Sequence, residues 1–300
     1  MILVTGANGF IGRHFNFDDD NFRRVVRLDK KKYRTDFCIS SLDSSTDWSG
    51  AFQDVDSIIH LAGVAHSKSY LESDYISVNL EGTVRLAREA MKSGVKRFVF
   101  VSTVLVNGSL SNNKPFSPSD EPKPQGVNAV SKLAAEIELL KLSSETGLEV
   151  VIVRPPLVYG PNAPGNFGKL TKLVERLPLL PFGAAKNRRD FISVYNLVDL
   201  LVVCARHKKA KGKVFLASEG EPVSIRDLSN AISNGLDRRA LQIPVPISVM
   251  KFVCKLIGKS SMGEQLFGEQ LVDSSNLKEE LEWLPPFTMK QAMSSLRNLS

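Results

Sequence analysis

The sequence has few cysteines and no long apolar run, and both absences limit what the protein can be. Its three cysteines, Cys38, Cys204 and Cys254, are scattered along the chain. They fit reduced, mostly buried thiols, and they fit neither a disulfide framework nor a zinc site. No stretch approaches the roughly 20 apolar residues that cross a bilayer, and the first residues form a strand-like segment instead of a signal peptide. We therefore expect a cytoplasmic protein without an integral membrane segment.

Signals for metal ions and nucleic acids are also missing. No His, Cys or carboxylate residues have the spacing of a metal site, so we predict no metal. The net charge is +7, but the basic residues are dispersed, and no helix-turn-helix, zinc finger or aromatic RNA-binding signature accompanies them. We expect no nucleic-acid partner. The basic residues form solvated faces or, alternatively, attract an anionic small molecule.

Three glycines at a spacing of three are the most informative feature that is present. Gly6, Gly9 and Gly12 directly follow an apolar segment, Ile2 to Val4. A strand, a glycine-rich turn and a helix, here from about Phe10, form the pattern of a dinucleotide-binding site. The first glycine permits the tight turn, the second lets the backbone approach a pyrophosphate, and the third lets helix and strand pack closely. The phosphates meet N–H groups at the helix N-terminus. A purely structural turn is the alternative.

Apolar runs of strand length alternate with helical patterns along the first half of the chain. The runs at 57–61, 97–102 and 149–154 are continuous, which is typical of strands buried on both faces of a parallel sheet. Helices are predicted over 80–93 and 129–145. The second of these places apolar residues on one face: Val130, Leu133, Ala134, Ile137 and Leu140. The alternation predicts an α/β fold with a doubly wound parallel sheet of the Rossmann type.

The domain organisation is predicted from a change in composition after Pro155, where prolines become frequent. We predict a dinucleotide-binding domain over 1–160 and a smaller, mostly helical C-terminal substrate lobe over 161–300, partly interleaved with the first domain around 190–218. The first helix should be short or frayed, because 18–21 reads Asp-Asp-Asp-Asn. Residues 245–259 predict an apolar helix that packs within the lobe, and contact with a membrane surface is the alternative.

Seven motifs follow one another along the chain. They are TGANGFIG at 5–12, HLAG at 60–63, NLEGT at 79–83, FVST at 100–103, NAVSK at 128–132, RPPLVYGP at 154–161 and RDFISV at 189–194. In this order they resemble the extended short-chain dehydrogenases/reductases, specifically the nucleotide-sugar epimerases and reductases. The subgroup most similar to the chain acts at C4 of UDP-N-acetylhexosamines in bacterial polysaccharide synthesis. The resemblance implies an NAD or NADP cofactor, a UDP-sugar substrate and a homodimer formed through 80–93 and 129–145.

The family's catalytic unit is a Ser or Thr together with Tyr-x-x-x-Lys. Thr103 matches the first position, and Lys132 matches the lysine, which in the family lowers the pKa of the tyrosine and holds the nicotinamide ribose. The phenolate exchanges a proton with the sugar hydroxyl while a hydride moves. Here Asn128 occupies the tyrosine position. Asparagine does not titrate near neutrality, so it cannot serve as the general acid or base.

Two explanations of Asn128 compete. The chain is an inactivated variant made to trap substrate, or a natural member that has lost or rerouted its acid/base step. We favour the first because the other motifs are intact. A non-catalytic dinucleotide sensor of the same fold is the alternative function. The sequence does not separate epimerase from reductase. A 4,6-dehydratase is disfavoured because Val104 and Leu105 follow Thr103 where that family has Asp-Glu, and a steroid- or flavonoid-type reductase remains open on fold alone.

The resemblance also implies binding residues. Cofactor contacts in the glycine turn are Gly6, Gly9, Phe10, Ile11 and Gly12. Those elsewhere are Arg27, Asp29, Ser41, Leu42, Leu61, Ala62, Gly63, Asn79, Ser102, Lys132, Pro155 and Val158. Substrate contacts are Thr103, Asn128, Asn166 and Arg189. The arginine matches one that grips the sugar diphosphate, and a surface ion pair with Asp190 is its alternative role.

The choice between NAD and NADP depends on the end of the second strand. An acidic residue there binds the ribose hydroxyls of NAD, and an arginine favours the NADP phosphate. Either Arg27 or Asp29 could be that residue, and the lysines at 30–32 slightly favour NADP. Ser41 departs from the family's usual aspartate. His60 and His66, near the third binding strand, are expected to be packed or hydrogen-bonded and not catalytic.

Overall fold

A computed structural model of the chain describes residues 1–19, 21–27, 30, 33, 35–65, 70–111, 114–256, 258 and 260–299. Of residues 260–262, 298 and 299 it describes only the backbone. Within these residues, no helix is both long and apolar enough to span a membrane.

The strands are β1 Ile2–Thr5, β2 Phe22–Arg27, β3 Phe37–Ile39, β4 Ser57–His60, β5 Arg97–Val101, β6 Glu149–Arg154, β7 Leu157–Tyr159, β8 Leu179–Leu180, β9 Phe191–Ser193, β10 Val214–Leu216 and β11 Leu241–Gln242. Seven of them form a parallel sheet in the order β3-β2-β1-β4-β5-β6-β10. The strand order reverses between β1 and β4. A parallel sheet with such a reversal is doubly wound and carries its ligand at the carboxyl ends of the strands beside the reversal. The predicted fold class is therefore confirmed.

The helices are α1 Glu72–Tyr75, α2 Thr83–Lys92, α3 Val127–Thr146, α4 Gly165–Arg176, α5 Val194–Arg206, α6 Ile225–Gly235, α7 Ile247–Leu256, α8 Ser260–Phe267, α9 Ser275–Leu281 and α10 Met289–Ser294. A π-helical segment, Ile76–Gly82, leads directly into α2. The helix predicted over 80–93 therefore begins as wider π turns and becomes α-helical at Thr83.

Apolar side chains cover both faces of the sheet, which explains the continuous runs in the sequence. Successive strand residues point to opposite faces. Ile58 and Phe98 lie in one cluster with residues of α2 and α3, whereas Ile59 and Val99 lie in another with residues of α5. A strand between two helical layers has no solvent-facing side, so it needs apolar residues at every position.

The C-terminal region builds a third core from Phe167 of α4, Leu228 of α6 and Met293 of α10. Two short parallel strand pairs, β7 with β9 and β8 with β11, accompany it. The chain then returns to the central sheet, because α5 packs on β4 and β5 and β10 forms the sheet edge. The boundary at residue 160 stays a prediction.

The expectation of a helix from about Phe10 is wrong in form. The segment makes only a single 3-10 turn, Gly12–His14. The chain then leaves the helical path so that Phe15 and Phe17 can stack on each other, and both also contact Phe22. Aromatic burial therefore replaces helix extension, in agreement with the expected shortness of this element.

Two apolar stripes lie on the surface of the protein. In α3, Val130 and Ile137 are 50% and 56% exposed, and the buried side of the helix carries residues such as Ala135 and Leu139. In α7 only Met250 is buried. Packing within the lobe therefore accounts for the inner side of α7 and not for its apolar outer side, where the expectation is wrong.

Candidate active site

The glycine turn forms a tight cradle after β1. A Cβ atom on Gly12 would lie 2.3 Å from the carbonyl oxygen of Gly6, and one on Gly6 would lie 2.8 Å from the backbone nitrogen of Ala62. Gly6 also has a positive φ of 68°, which favours glycine. Among the described residues, the N–H groups of Phe10 and Ile11 donate no hydrogen bond. The loop is therefore closed against β4 and keeps two donors for an anionic group such as a pyrophosphate.

The residues after β4 lie against this cradle. The N–H of Ala62 donates to Oγ1 of Thr5 over 3.2 Å, which ties the segment of Leu61, Ala62 and Gly63 to the end of β1. Both segments leave the carboxyl edge of the sheet at the reversal of strand order, where α/β sheets bind their ligands.

Lys132 lies beside Gly63 from the other side. A Cβ on Gly63 would be 3.1 Å from Nζ of Lys132, and this ammonium donates to the carbonyl oxygen of Val101 over 3.0 Å. Nζ also lies 4.6 Å from the ring centre of Phe100. Burial lowers the pKa of Lys132 to about 8. The sequence prediction thus leads to a buried lysine at the junction of β4 and β5.

A buried ion pair between Glu136 of α3 and Arg154 of β6 fixes the helix that carries Lys132. Glu136, one turn beyond the lysine, accepts from Nε of Arg154 in β6 over 3.0 Å, and Nη1 of the same arginine donates to Oδ1 of Asn107 over 3.0 Å. Removing one partner would leave a buried charge uncompensated, so this link resists rotation of the helix.

Asn128 belongs to an amide network that lies beside the lysine. Nδ2 of Asn79 donates to Oδ1 of Asn128 over 3.4 Å and to Oγ of Ser131 over 3.0 Å. Oδ1 of Asn79 accepts from the backbone N–H of Val64 over 2.7 Å, and it would lie 2.9 Å from a Cβ on Gly63. The structure thus groups Asn79, Asn128 and Lys132 around Gly63.

Thr103 and Ser102 follow β5 at the same edge. Oγ1 of Thr103 accepts from the N–H of Leu105 over 3.3 Å and caps the 3-10 turn Val104–Val106. Oγ of Ser102 is buried and has no hydrogen-bond partner among the described residues. An unsatisfied buried hydroxyl is costly, so Ser102 is a candidate to receive a bond from a bound group.

Tyr159, the tyrosine of the RPPLVYGP motif, does not take over the role of the tyrosine that the family has at position 128. The hydroxyl of Tyr159 donates to Oε2 of Glu219 over 2.9 Å. Burial raises the pKa of Tyr159 far above its ordinary value, and the neighbouring Glu219 raises it further. Such a phenol stays protonated at neutral pH and cannot act as a base.

Arg189 lies half-buried under the C-terminal region. Its guanidinium donates to the carbonyl oxygen of Gly268 over 3.3 Å and to Oε1 of Gln270 over 2.9 Å. Burial lowers the pKa of Arg189 to about 10. No carboxylate of the described residues lies within ion-pair distance of it. A half-buried cation held only by neutral acceptors suits an anionic ligand.

The alternative of an Arg189–Asp190 ion pair is therefore wrong. The carboxylate of Asp190 instead accepts from Oγ of Ser218 over 2.5 Å and from the N–H of Val272 over 2.9 Å. Adjacent residues on an extended chain point in opposite directions, and this places the two side chains on different sides.

The second proposed substrate residue, Asn166, is exposed at the start of α4 and donates to Oε1 of Gln265 over 3.1 Å. The side-chain amides of Gln265 and Gln270 contact Asn166 and Arg189, the two residues expected to bind the sugar diphosphate. The sequence analysis did not predict either amide. They lie far along the chain from their partners and belong to no motif, so no sequence signal could have found them.

The remaining cofactor candidates are spread around this edge. Leu42 packs against Gly82, whose added Cβ would lie 3.0 Å from its Cγ, and Ser41 is exposed beside it. Pro155 accepts from the N–H of Val104 over 2.9 Å, and Val158 packs on the sheet core. Arg27 is exposed at the end of β2, whereas Asp29 lies outside the described residues.

One residue of β2 was missed. Arg24 is buried in the middle of the strand, where Nη2 donates to Oδ1 of Asn8 in the glycine turn over 3.1 Å. Its Nε lies 3.2 Å from Oδ1 of Asp36. The position of Arg24 in the middle of a strand gave no sign that its side chain reaches the glycine turn.

The histidine of β4 has a packing role, as expected. Nδ1 and Nε2 of His60 are hydrogen-bonded to Oγ1 of Thr5 and of Thr83 at 2.7 and 2.9 Å, and burial lowers its pKa well below the ordinary value. His66 lies outside the described residues.

Comparison with known proteins decides the family. Residues 2–217 match the NAD dependent epimerase/dehydratase family. The chain belongs to this family. A UDP-glucose 4-epimerase of Vibrio cholerae is 37% identical over 305 residues, which cover 97% of this chain and 92% of that protein. The expected resemblance and the expectation of an enzyme with a nicotinamide cofactor are thereby confirmed.

Solved structures agree on the fold of this epimerase/dehydratase. The UDP-N-acetylglucosamine 4-epimerase from Bacillus cereus has a TM-score of 0.80 at 20% identity, with 99% of this chain and 98% of that chain covered. The UDP-glucuronic acid 4-epimerase from Bacillus cereus, solved in complex with NAD, has a TM-score of 0.76 at 21% identity, with 99% of both chains covered. At these identities the likeness concerns the fold.

Proposed function

We propose that this protein binds NAD or NADP and acts at C4 of a UDP-sugar, as an epimerase or a 4-keto-sugar reductase in polysaccharide precursor synthesis. We further propose that its proton-transfer step is impaired by Asn128. The observation that carries the proposal is the buried ammonium of Lys132, which lies beside Gly63 together with Asn79, the hydrogen-bond partner of Asn128. This is the junction where the family's catalytic lysine is expected, with an amide in place of the phenol.

The cradle fits a dinucleotide. The close approach of Gly12 to Gly6 and the two N–H groups of Phe10 and Ile11 suit a pyrophosphate. Lys132 and Asn79 would lie at the nicotinamide end, beside Gly63. The bound cofactor supplies the hydride acceptor and donor, whereas the protein supplies position and charge.

A sugar diphosphate fits Arg189. The guanidinium is directed by Gly268 and Gln270 and has no carboxylate partner among the described residues, so a diphosphate oxygen can accept its remaining donors. Charge-assisted contacts of this kind are strong and directional. Asn166, linked to the same C-terminal segment through Gln265, offers a further donor.

The residues proposed to surround C4 of the sugar can orient a substrate but cannot transfer its hydroxyl proton. Thr103 offers a hydroxyl and Asn128 an amide, and neither titrates near neutrality. Lys132 keeps a positive charge that would stabilise an oxyanion, yet it is engaged with Val101. Binding without efficient turnover is the expected behaviour.

Asn128 also supports a second candidate, a non-catalytic dinucleotide sensor. The two functions differ in whether a sugar nucleotide binds, because a sensor has no need of Arg189 as a diphosphate ligand.

The cellular site we propose is the cytoplasm, which is supported by three unpaired cysteines.

The outward stripe of α3 supports a homodimer. Val130 and Ile137, together with Val127 and Leu140, form an exposed apolar row on a helix that packs beside α2. Apolar stripes of this kind normally face a partner. We propose that α2 and α3 of two subunits pack together through this row.

A titration of sugar nucleotides into the cofactor-loaded protein tests the proposed function. Isothermal titration would give the affinity of each ligand in the presence of NAD or NADP. The ligands are UDP-N-acetylhexosamines, UDP-glucose, UDP and uridine. We expect the diphosphates to bind and uridine to bind far more weakly. Tight dinucleotide binding together with no response to any sugar nucleotide would favour the sensor.

A further inference from the structure

The outer side of α7 is apolar. Its inner side is anchored by Ile247 and Met250, which pack on the core of the C-terminal lobe. The residues facing away from that core follow the spacing i, i+3, i+4, i+7 of a single helical face. They are Val249, Phe252, Val253 and Leu256, of which Phe252 is 60% and Leu256 70% exposed. Single exposed apolar residues are ordinary, but four on one face of a ten-residue helix indicate an interaction surface.

The apolar surface continues in the segment that leads into α7. Ile243 is exposed directly before the prolines at 244 and 246, and Leu241 of β11 is exposed next to its strand partner Leu179 of β8. The backbone of Ile243 is held by Leu180 and Gly183. The helix therefore follows a hydrogen-bonded strand pair that carries exposed apolar side chains.

Positive charge accompanies this surface. Lys251 and Lys255 are the charged residues of α7, and both are exposed. Arg238 and Arg239 are exposed shortly before β11. A second copy of the chain docked face to face would bring these cations together, which disfavours self-association through α7. An anionic bilayer surface satisfies both the apolar row and the cations.

The helix is connected to the proposed substrate site. α7 and α8 form a hairpin in which Gly263 packs against Cys254. α8 carries Gln265, which accepts from Asn166, and is followed by Gly268, which accepts from Arg189. A surface seated on α7 thus lies one hairpin away from both residues.

We propose that the protein docks reversibly on anionic lipid bilayers through the outer face of α7. Phe252 and Leu256 enter the boundary between headgroups and acyl chains, and Lys251 and Lys255 contact anionic headgroups. Interfacial helices of this type bind through buried apolar area together with electrostatic attraction. The proposal does not depend on the proposed enzyme function, because no residue of α7 is assigned to the cofactor or the substrate.

Co-sedimentation with lipid vesicles tests the proposal. The full chain would be mixed with vesicles of phosphatidylcholine alone, or of phosphatidylcholine with phosphatidylglycerol, at low and high salt. We expect binding to the anionic vesicles that is at least about tenfold tighter than to the neutral ones and that weakens in high salt. Absence of binding to both kinds of vesicle would overturn the proposal.

Two double variants identify the surface. Phe252→Glu with Leu256→Glu should lower vesicle binding by at least about tenfold, because charges replace the apolar anchors. The control Leu284→Glu changes a residue that is 63% exposed outside α7 and should bind like the unmodified protein. Lys251→Gln with Lys255→Gln should remove part of the salt-sensitive binding, whereas Lys208→Gln with Lys209→Gln, also exposed, should not.

Thermal unfolding and sedimentation velocity keep the outcomes separate. All substituted side chains are exposed, so the melting temperature of each variant should equal that of the unmodified protein. Vesicle binding that persists in the Phe252→Glu, Leu256→Glu variant would overturn the proposal. So would a change of oligomeric state in that variant without lipid, since it would show that α7 contacts protein.

Discussion

Nδ2 of Asn79 lies 3.4 Å from Oδ1 of Asn128, and Oδ1 of Asn79 and Nζ of the buried Lys132 both lie beside Gly63. The amide at position 128 therefore occupies a prepared place in a hydrogen-bonded network. The lysine, the threonine and the cradle are all present around a residue that cannot exchange a proton. Under the proposed function, this network supports ligand binding and supplies no proton-transfer group at position 128.

Introducing a phenol at position 128 should raise turnover. Asn128→Tyr is expected to raise the rate on UDP-sugars or their 4-keto derivatives by about 100- to 10,000-fold, the usual contribution of positioned acid–base catalysis. Substrate affinity should change little, because the phenol acts mainly on the transition state. A steady-state assay of both forms with NAD and NADP measures this.

Asn128→Phe is the matched control, since it adds the ring without the hydroxyl and should remain slow. If the unmodified protein already turns over as fast as Asn128→Tyr, the acid–base role belongs to another residue.

Arg189→Ala should weaken UDP-sugar binding by about 1.5–3 kcal/mol, the range for a lost charge-assisted contact, and leave dinucleotide affinity nearly unchanged. Titration calorimetry with each ligand measures both effects. Arg188→Ala, which removes the exposed neighbouring arginine, should alter neither. Equal losses for both ligands in Arg189→Ala would indicate damage to the fold instead of a lost contact.

Lys132 should make stability depend on pH. Its pKa of about 8 in the folded protein is below the ordinary 10.5, so the unfolded chain binds more protons between these values. Its unfavourable contribution is complete below pH 8 and disappears as the pH rises towards 10.5. Lys132→Met should therefore be more stable than the unmodified protein at pH 7, by roughly 1–3 kcal/mol.

The stability difference should shrink as the pH rises to 10, as measured by urea unfolding at each pH. Lys141→Met, at an exposed position of the same helix, should show no such trend. A difference for Lys132→Met that is constant with pH would contradict the burial of a charged ammonium.

Ile137→Glu should convert the proposed dimer into monomers. A charge in the centre of the apolar row of α3 would have to be buried without a partner, at a cost of several kcal/mol. Sedimentation equilibrium at micromolar concentration measures the change, and Leu284→Glu serves as the exposed control. A monomeric unmodified protein would refute the dimer.

Local patterns in the sequence were enough for the parallel sheet and the nucleotide cradle. Continuous apolar runs such as 97–101 require burial on both faces, and Gly6 and Gly12 sit where a side chain would collide with backbone. These properties depend on neighbouring residues, so a linear pattern records them. The family motifs likewise located Lys132 and Asn128, which lie four residues apart on one helix.

Only the tertiary structure decided which apolar stripes are covered and which charges are paired. The stripes of α3 and α7 show the same periodicity as buried helices, yet both face outward because other sides of these helices meet the core. Arg189 is held by Gly268 and Gln270, and Arg24 reaches Asn8, through contacts that join distant parts of the chain. Periodicity identifies an apolar face, but the packing of the other elements determines what that face meets.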